Sequence, residues 1–311
     1  MKRVELAAGV FHLQSGSNMG LIVREGQGLL IDTGLDKDAA RRVLRMAEAM
    51  DVTLKAIFVT HAHADHFGGA HFLQRRLGIE LYAPALEAAM MEHPIIEPLY
   101  LFGGAAPVGE LCHKFTLAQA CRVNHVAEPG KLEIGPFRIE LVPLPGHAPN
   151  QIGAAVGDGA ASGVLFCGDA VFPRETLEKH KVPFFFDLDD GLATLERLPG
   201  LPYAHFAPGH GPAYAGGDEI AAICAANRER LEEIRSLIYA ALEEPQESPA
   251  LIQQVADHFG LELEMMTIYL LVRTTIFATL CSLERAEKVT AEMKGNRLLW
   301  RRGGEMRQKG N

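Results

Sequence analysis

The five cysteines, Cys112, Cys121, Cys167, Cys224 and Cys281, include no Cys-x-x-Cys pair. Their scatter and odd number argue against a disulfide framework and for reduced thiols that mostly fill the core. The chain also lacks an uninterrupted apolar run near the roughly 20 residues that span a bilayer, so no membrane span is expected. The opening Met1-Lys2-Arg3 soon meets Glu5, without a sustained apolar stretch or a small-residue cleavage site. Cytoplasm is therefore the expected location. Positive charge is in short supply: 30 Lys and Arg stand against 39 Asp and Glu, a net charge of −9. That balance gives no general attraction for nucleic acid or an anionic membrane, and a polyanion would need a local basic patch. With 48% apolar and 22% charged residues, the composition is that of a globular protein. Its 311 residues supply one large domain, or a domain with an appendage, with ample material for a core.

Against this background one stretch stands out. Thr60-His61-Ala62-His63-Ala64-Asp65-His66 follows the apolar run Ala56-Ile57-Phe58-Val59 and precedes Phe67-Gly68-Gly69. Three imidazoles and a carboxylate within six residues, at the end of a buried strand, read as ligands delivered to a loop where they converge on a metal. Imidazole and carboxylate suit zinc, iron or manganese, and would otherwise be costly to keep beside a core strand.

The remaining chain repeats the device. Strand signals at Gly9–Leu13, Met19–Arg24 and Leu29–Ile31 give a hairpin-rich opening sheet, closed by Asp32-Thr33-Gly34. Asp32 is a candidate for supporting the metal site or for a turn. Asp36 is placed to cap a helix running to about Met50. After the histidine cluster come a helix over Ala70–Leu77 and a strand over Glu80–Ala83. Residues 84 to 128 then break the alternation, apolar but weakly periodic, as a candidate lid or subunit contact, the latter allowing a homodimer. His71, His93, His113 and His125 have no metal-like neighbours and are read as non-ligands. Strands at Lys131–Ile134 and Phe137–Val142 lead to His147 in Pro145-Gly146-His147. Gln151–Val156 and Gly163–Cys167 follow, ending in Gly168-Asp169, with Cys167 read as a buried strand residue. A long loop is expected to hold Lys179-His180-Lys181 and Phe184-Phe185-Phe186. A helix over about Leu188–Leu198 and a strand over Tyr203–Ala207 then deliver His210 in Gly209-His210-Gly211. From Gly216 the pattern turns helical: a long segment to Leu242, a helix capped by Ser248, a third over Glu264–Leu283, and a hairpin over Lys288–Arg302 around Gly295-Asn296. The end, with Arg297, Arg301, Arg302, Arg307 and Lys309, is the one basic stretch there.

The set His61-x-His63-x-Asp65-His66, His147, Asp169 and His210 resembles the metallo-β-lactamase fold superfamily over roughly residues 1–215, with all seven positions filled in order. The resemblance implies an α/β (α+β) αββα sandwich, two mixed sheets with helices outside and the metal site at one edge. It implies that His61, His63 and His147 hold one metal, that Asp65, His66 and His210 hold a second, and that Asp169 bridges them. Asp65-His66 looks like the hydrolase branch with two complete sites rather than the β-lactamases proper. The arrangement after His210 is similar to the lactamase-beta-like subgroup, whose long helix leads into a small winged-helix-like domain, here residues 216–311. Glyoxalase II also carries a C-terminal helical domain, but its Tyr/Asn-rich segment is replaced here by Gly211-Pro212-Ala213-Tyr214-Ala215, which argues against glutathione thioesters.

Two divalent ions about 3.5 to 4 Å apart, most simply zinc with iron or manganese as alternatives, activate a bridging water for hydrolysis. Asp65 would bind metal and orient the nucleophile. No clear proton donor is visible, with His180 the candidate. Phe172 and Phe184–Phe186 would wall the site for a small ester, thioester or lactone, or only pin the loop to the core. Two alternatives stand beside this: a nuclease that uses the basic tail, and a mononuclear iron dioxygenase of the same fold.

Overall fold

A computed structural model describes residues 1–157 and 159–303. Arg307 and Lys309 of the expected basic stretch lie outside them.

Two sheets form the centre. The first runs in sequence order through β1 (Lys2–Ala7), β2 (Val10–Gln14), β3 (Met19–Arg24), β4 (Gln27–Ile31), β5 (Thr53–Phe58), β6 (Glu80–Ala83) and β7 (His125–Val126). β1 to β4 are an antiparallel meander, and β4 to β7 are parallel, joined by crossover segments. The second sheet takes β8 (Gly130–Ile134), β9 (Phe137–Pro143), β10 (Ile152–Val156), β11 (Val164–Gly168), β12 (His205–Pro208) and β13 (Tyr214–Ala215), with β11 and β12 its parallel pair. Alternation sets which side chains enter: Phe137, Ile139 and Leu141 of β9 are buried while Arg138 and Glu140 are exposed. In β10 and β11 every residue is buried, as expected of strands covered on both faces.

Between the sheets lie Ile22, Leu29, Phe58, Ile139, Ile152 and Phe166. On the outer face of the first sheet, helices α1 (Lys37–Ala49), α2 (Ala64–Phe67), α3 (Ala70–Leu77), α4 (Ala85–Glu92) and α5 (Ile96–Leu101) contribute Val43, Phe67, Leu73, Met91 and Leu101 to the buried interior. The Asp36 carboxylate caps α1 by accepting from Asp38 N and Ala39 N at 3.0 and 3.1 Å, as its position predicts. A short helix, α6 (Gly159–Ser162), links β10 to β11. The outer face of the second sheet is covered by α7 (Arg174–His180), α8 (Leu188–Arg197) and the first half of α9 (Asp218–Ala241), through Leu177, Leu195, Ile220 and Leu231. This is the αββα order of layers expected from the sequence.

The later half of α9 joins α10 (Ser248–Phe259), α11 (Met266–Arg285) and the hairpin β14 (Val289–Lys294) and β15 (Arg297–Arg302) around Ile238, Leu251, Ile276, Leu280 and Trp300. Two local readings are corrected. The N-cap of α10 is Glu247, and Ser248 is inside the helix, where its Oγ accepts from Trp300 Nε1 at 3.1 Å. Lys179 and His180 lie in α7, not in a loop, because Pro173 starts a run of helix formers from Arg174. Helix α11 is long and apolar enough to cross a membrane by length and composition, with mean hydropathy 1.6 despite Arg273. It packs on α8, α9 and α10, and 56% of that window is buried. In the basic hairpin, Arg297 pairs with Glu247, Arg301 lies 3.1 Å from Glu292, and Arg302 donates to Tyr239 O at 3.0 Å.

Candidate metal centre

Each of the seven expected ligands stands at or just beyond a strand end on one edge of the sandwich. His61, His63, Asp65 and His66 follow β5, His147 follows β9, Asp169 follows β11, and His210 follows β12. The potential donor atoms gather into three overlapping groups, each within 4.8 Å: His61, His63 and His147; His61, His66 and Asp169; and Asp65, His66 and His210. Of the histidines read as non-ligands, three are engaged away from this cluster. His71 bonds Ala120 O, His113 bonds Thr267 Oγ1, and His125 pairs with Glu80. Cys167 is fully buried in the second sheet's outer core.

Hydrogen bonding fixes which ring nitrogen faces inward. The Thr60 hydroxyl donates to Asp32 Oδ2 at 2.9 Å, so at 3.0 Å from His61 Nδ1 it is left to accept. His66 Nδ1 lies 3.0 Å from Asp32 Oδ2, His147 Nδ1 lies 2.9 Å from Phe184 O, and His210 Nδ1 lies 2.8 Å from Gly16 O. These partners are acceptors, so all four Nδ1 atoms carry hydrogen and all four Nε2 lone pairs turn towards the centre. There they meet one another and the carboxylates. His66 Nε2 is 3.3 Å from Asp169 Oδ1, His210 Nε2 is 3.3 Å from Asp169 Oδ2 and 3.5 Å from Asp65 Oδ2, and His147 Nε2 is 2.8 Å from His63 Nδ1.

That arrangement leaves His61 Nε2, His66 Nε2 and Asp169 Oδ1 buried without a hydrogen-bond partner. Buried lone pairs without a partner are costly unless a cation satisfies them, so the residues present fit divalent ions. Electrostatics agrees. Burial and the neighbouring imidazoles push His61 well below its usual pKa, and burial followed by His147 takes His63 to about 3. At the other end burial opposes charge, but Asp169 and Asp65 outweigh it, holding His66 well above the ordinary value and His210 at about 10. The carboxylates thus draw positive charge onto these two rings, a demand that metal cations meet while releasing the protons.

Several supporting residues were not singled out in the sequence. Ser17 Oγ donates to Asp65 Oδ2 at 2.7 Å, and Asn18 bridges Ser15 N to the carbonyls of Pro208 and Gly211. Gln151 Oε1 accepts from Asp169 N at 3.2 Å. The polar run Ser15-Gly16-Ser17-Asn18 between two strands was the available signal, although it reads equally as an exposed turn. Gly209 allows the closest approach: a Cβ there would lie 2.1 Å from Asp169 Oδ1. Among the aromatics the expected roles divide. Phe184 stands edge-on to His63 and His147 with centroids 5.3 and 5.5 Å away, and Phe172 is 5.5 Å from His147. Phe185 is buried in the core and Phe186 is exposed. His180 is exposed at the end of α7 and, among the described residues, bonds none of the cluster.

Known proteins agree with the fold. A beta-lactamase domain protein from Burkholderia ambifaria superposes with a TM-score of 0.73 at 22% identity, covering 97% of this chain and 93% of its own. A metallo-beta-lactamase family protein from Thermus thermophilus gives 0.70 at 19%, covering 94% and 98%. Among curated sequences, a hydroxyacylglutathione hydrolase from Haemophilus influenzae is 28% identical over 148 residues, 48% of this chain and 63% of that protein. Another from Hahella chejuensis is 28% identical over 186 residues, 59% of this chain and 57% of its own. The match therefore spans about three fifths of the length of these two relatives. The sequence profile of the Metallo-beta-lactamase superfamily matches residues 13–210, a span that contains all seven clustered residues, and the chain belongs to that superfamily.

Proposed function

We propose that the protein is a dinuclear metal-dependent hydrolase of a small ester, thioester or lactone. The observation that carries the reading is the inward turn of four imidazole Nε2 atoms onto Asp65 and Asp169, with each Nδ1 held from outside. His61, His63 and His147 would hold one ion, Asp65, His66 and His210 the other, and Asp169 both. Two divalent cations supply a Lewis acid for the substrate oxygen and lower the pKa of a water towards neutrality. Zinc suits the mixed nitrogen and oxygen donors, with iron and manganese the alternatives.

The chain's own residues do the rest. Asp65, fixed by the Ser17 hydroxyl, orients the attacking water, and its partly exposed carboxylate sits at the substrate side. Phe184, half-buried beside His147, offers apolar surface to an acyl group, and the buried Phe172 packs against the same imidazole. The hydroxyacylglutathione hydrolase names of the relatives denote thioester hydrolysis, which falls in the proposed class. Residues 1–215 would form the catalytic domain with its 84–128 insertion, and residues 216–311 a winged-helix-like domain that braces it.

The test is a hydrolysis screen over aryl esters, thioesters, lactones and phosphodiesters, with Asp65→Ala as control. Turnover of a carboxylic ester or thioester that falls on the order of 10²-fold in the variant is expected. Equal rates in both proteins, or turnover of phosphodiesters alone, would sink the reading.

A further inference from the structure

Helix α4, in the insertion that interrupts the strand–helix alternation, carries a carboxylate with no solvent exposure, Glu87. Its two oxygens reach two different loops. Oε2 accepts from Ala62 N at 2.8 Å, and Oε1 accepts from Asn150 N at 3.0 Å. Ala62 lies between His61 and His63, and Asn150 lies three residues beyond His147. These are the loops that bring His61, His63 and His147 into one group.

A buried carboxylate is an expensive way to fill space, because an apolar side chain would occupy the same volume without desolvation cost. What a carboxylate offers here is a pair of acceptors on one rigid plane, which fixes the separation of two N–H groups far apart in sequence. A glutamine would keep one acceptor and turn an NH2 group towards the other donor. A second acid from the same insertion, Glu97 of α5, is also buried. Through Glu87 the insertion therefore supports the His61–His66 segment at a backbone amide.

We infer that Glu87 is a positioning residue that locks the His61–His63 loop and the His147 loop into one unit, and so sets the geometry of the three-histidine metal group. The inference rests on the metal reading of the site. Glu87 touches neither substrate nor metal; it acts through Ala62 N and Asn150 N.

The experiment compares wild type with Glu87→Gln and Glu87→Ala, measuring zinc affinity by chelator competition, the visible spectrum of the cobalt-substituted protein, and thermal stability of the metal-free chain. Loss of about 10-fold or more in affinity at one of the two ions, with an altered cobalt spectrum, is expected, as for other groups that hold metal ligands from behind. Wild-type affinity and spectrum in both variants, with only a lowered Tm, would overturn the inference and leave the metal reading intact. A wild type that binds no metal would sink both. Because a variant could fail to fold, amide hydrogen exchange on the wild-type chain gives an independent check: Ala62 and Asn150 amides are expected to be strongly protected, and rapid exchange at either would contradict the clamp.

Discussion

Thr275 of α11 and Phe185 of the aromatic loop are joined by a hydrogen bond, the Phe185 amide donating to Thr275 Oγ1 at 3.0 Å. The same hydroxyl donates to Pro183 O at 2.9 Å. Phe184 is therefore held between two residues bonded to one C-terminal side chain, and its carbonyl accepts from His147 Nδ1. Farther along, Ser282 and Arg285 fasten Asp187 and Asp189 at the start of α8. The C-terminal helix thus reaches the histidine cluster through a short chain of bonds.

Replacing Thr275 by valine keeps the shape but leaves a buried N–H and C=O unpaired. A stability loss of about 1–3 kcal/mol is expected in urea unfolding. Metal affinity should fall with it, since the Phe184 carbonyl that orients His147 loosens. A stability loss with unchanged metal affinity would break the proposed link.

Asp32 serves His66 directly and His61 through Thr60. Its backbone is left-handed, at φ 58, a conformation that asparagine tolerates. Asp32→Asn should therefore fold, yet it lacks an acceptor for one of its donors. A 10–100-fold loss in metal affinity is expected by calorimetry; wild-type affinity would return Asp32 to a turn-forming role.

At Gly209 an added Cβ would meet Asp169 Oδ1 at 2.1 Å and His66 Cε1 at 2.6 Å. Both side chains are buried, so neither can swing into solvent. Gly209→Ala is expected to lose bound metal and hydrolysis together. Gly200→Ala, where the Cβ meets nothing within 4 Å, is the control, with stability changed by no more than about 0.5 kcal/mol. Equal metal content in the two variants would contradict the packing argument.

His12 gives a pH dependence independent of the ligands. Burial pushes its pKa from 6.5 down to about 4, only partly opposed by the hydrogen bond to Pro208 O. The unfolded chain then binds the proton more readily, so stability from this group is whole above pH 6.5 and is lost as pH falls through 4. The loss is at most about 3 kcal/mol. In His12→Gln the fall in unfolding free energy between about pH 7 and about pH 4 should shrink by that amount. An unchanged slope would exclude His12 as its source.

The seven clustered residues were legible as a group because each of their four segments follows an apolar strand and lies at or just before a glycine-marked turn, a pattern that local sequence carries. His147, Asp169 and His210 could be found in that way although they are far apart in the chain. Glu87 could not: its contacts depend on an insertion folding against loops to which no periodicity connects it. Phe184 and Phe185 are identical in type and adjacent, so local sequence does not distinguish the ring that approaches both His63 and His147 from the one that is buried in the core. The C-terminal helices were predicted from their spacing, but the run of α11 past Leu283 was missed, and with it the contact of Arg285 with Asp187 and Asp189.

The central claim is that His61, His63, Asp65, His66, His147, Asp169 and His210 hold two ions that work in hydrolysis. Metal analysis of protein purified without added metal, run alongside oxygen uptake and the hydrolysis screen, tests it most directly. The account predicts two zinc, iron or manganese ions per chain, lost together with hydrolysis on chelation, and no oxygen uptake. A single iron per chain with oxygen consumption would contradict it.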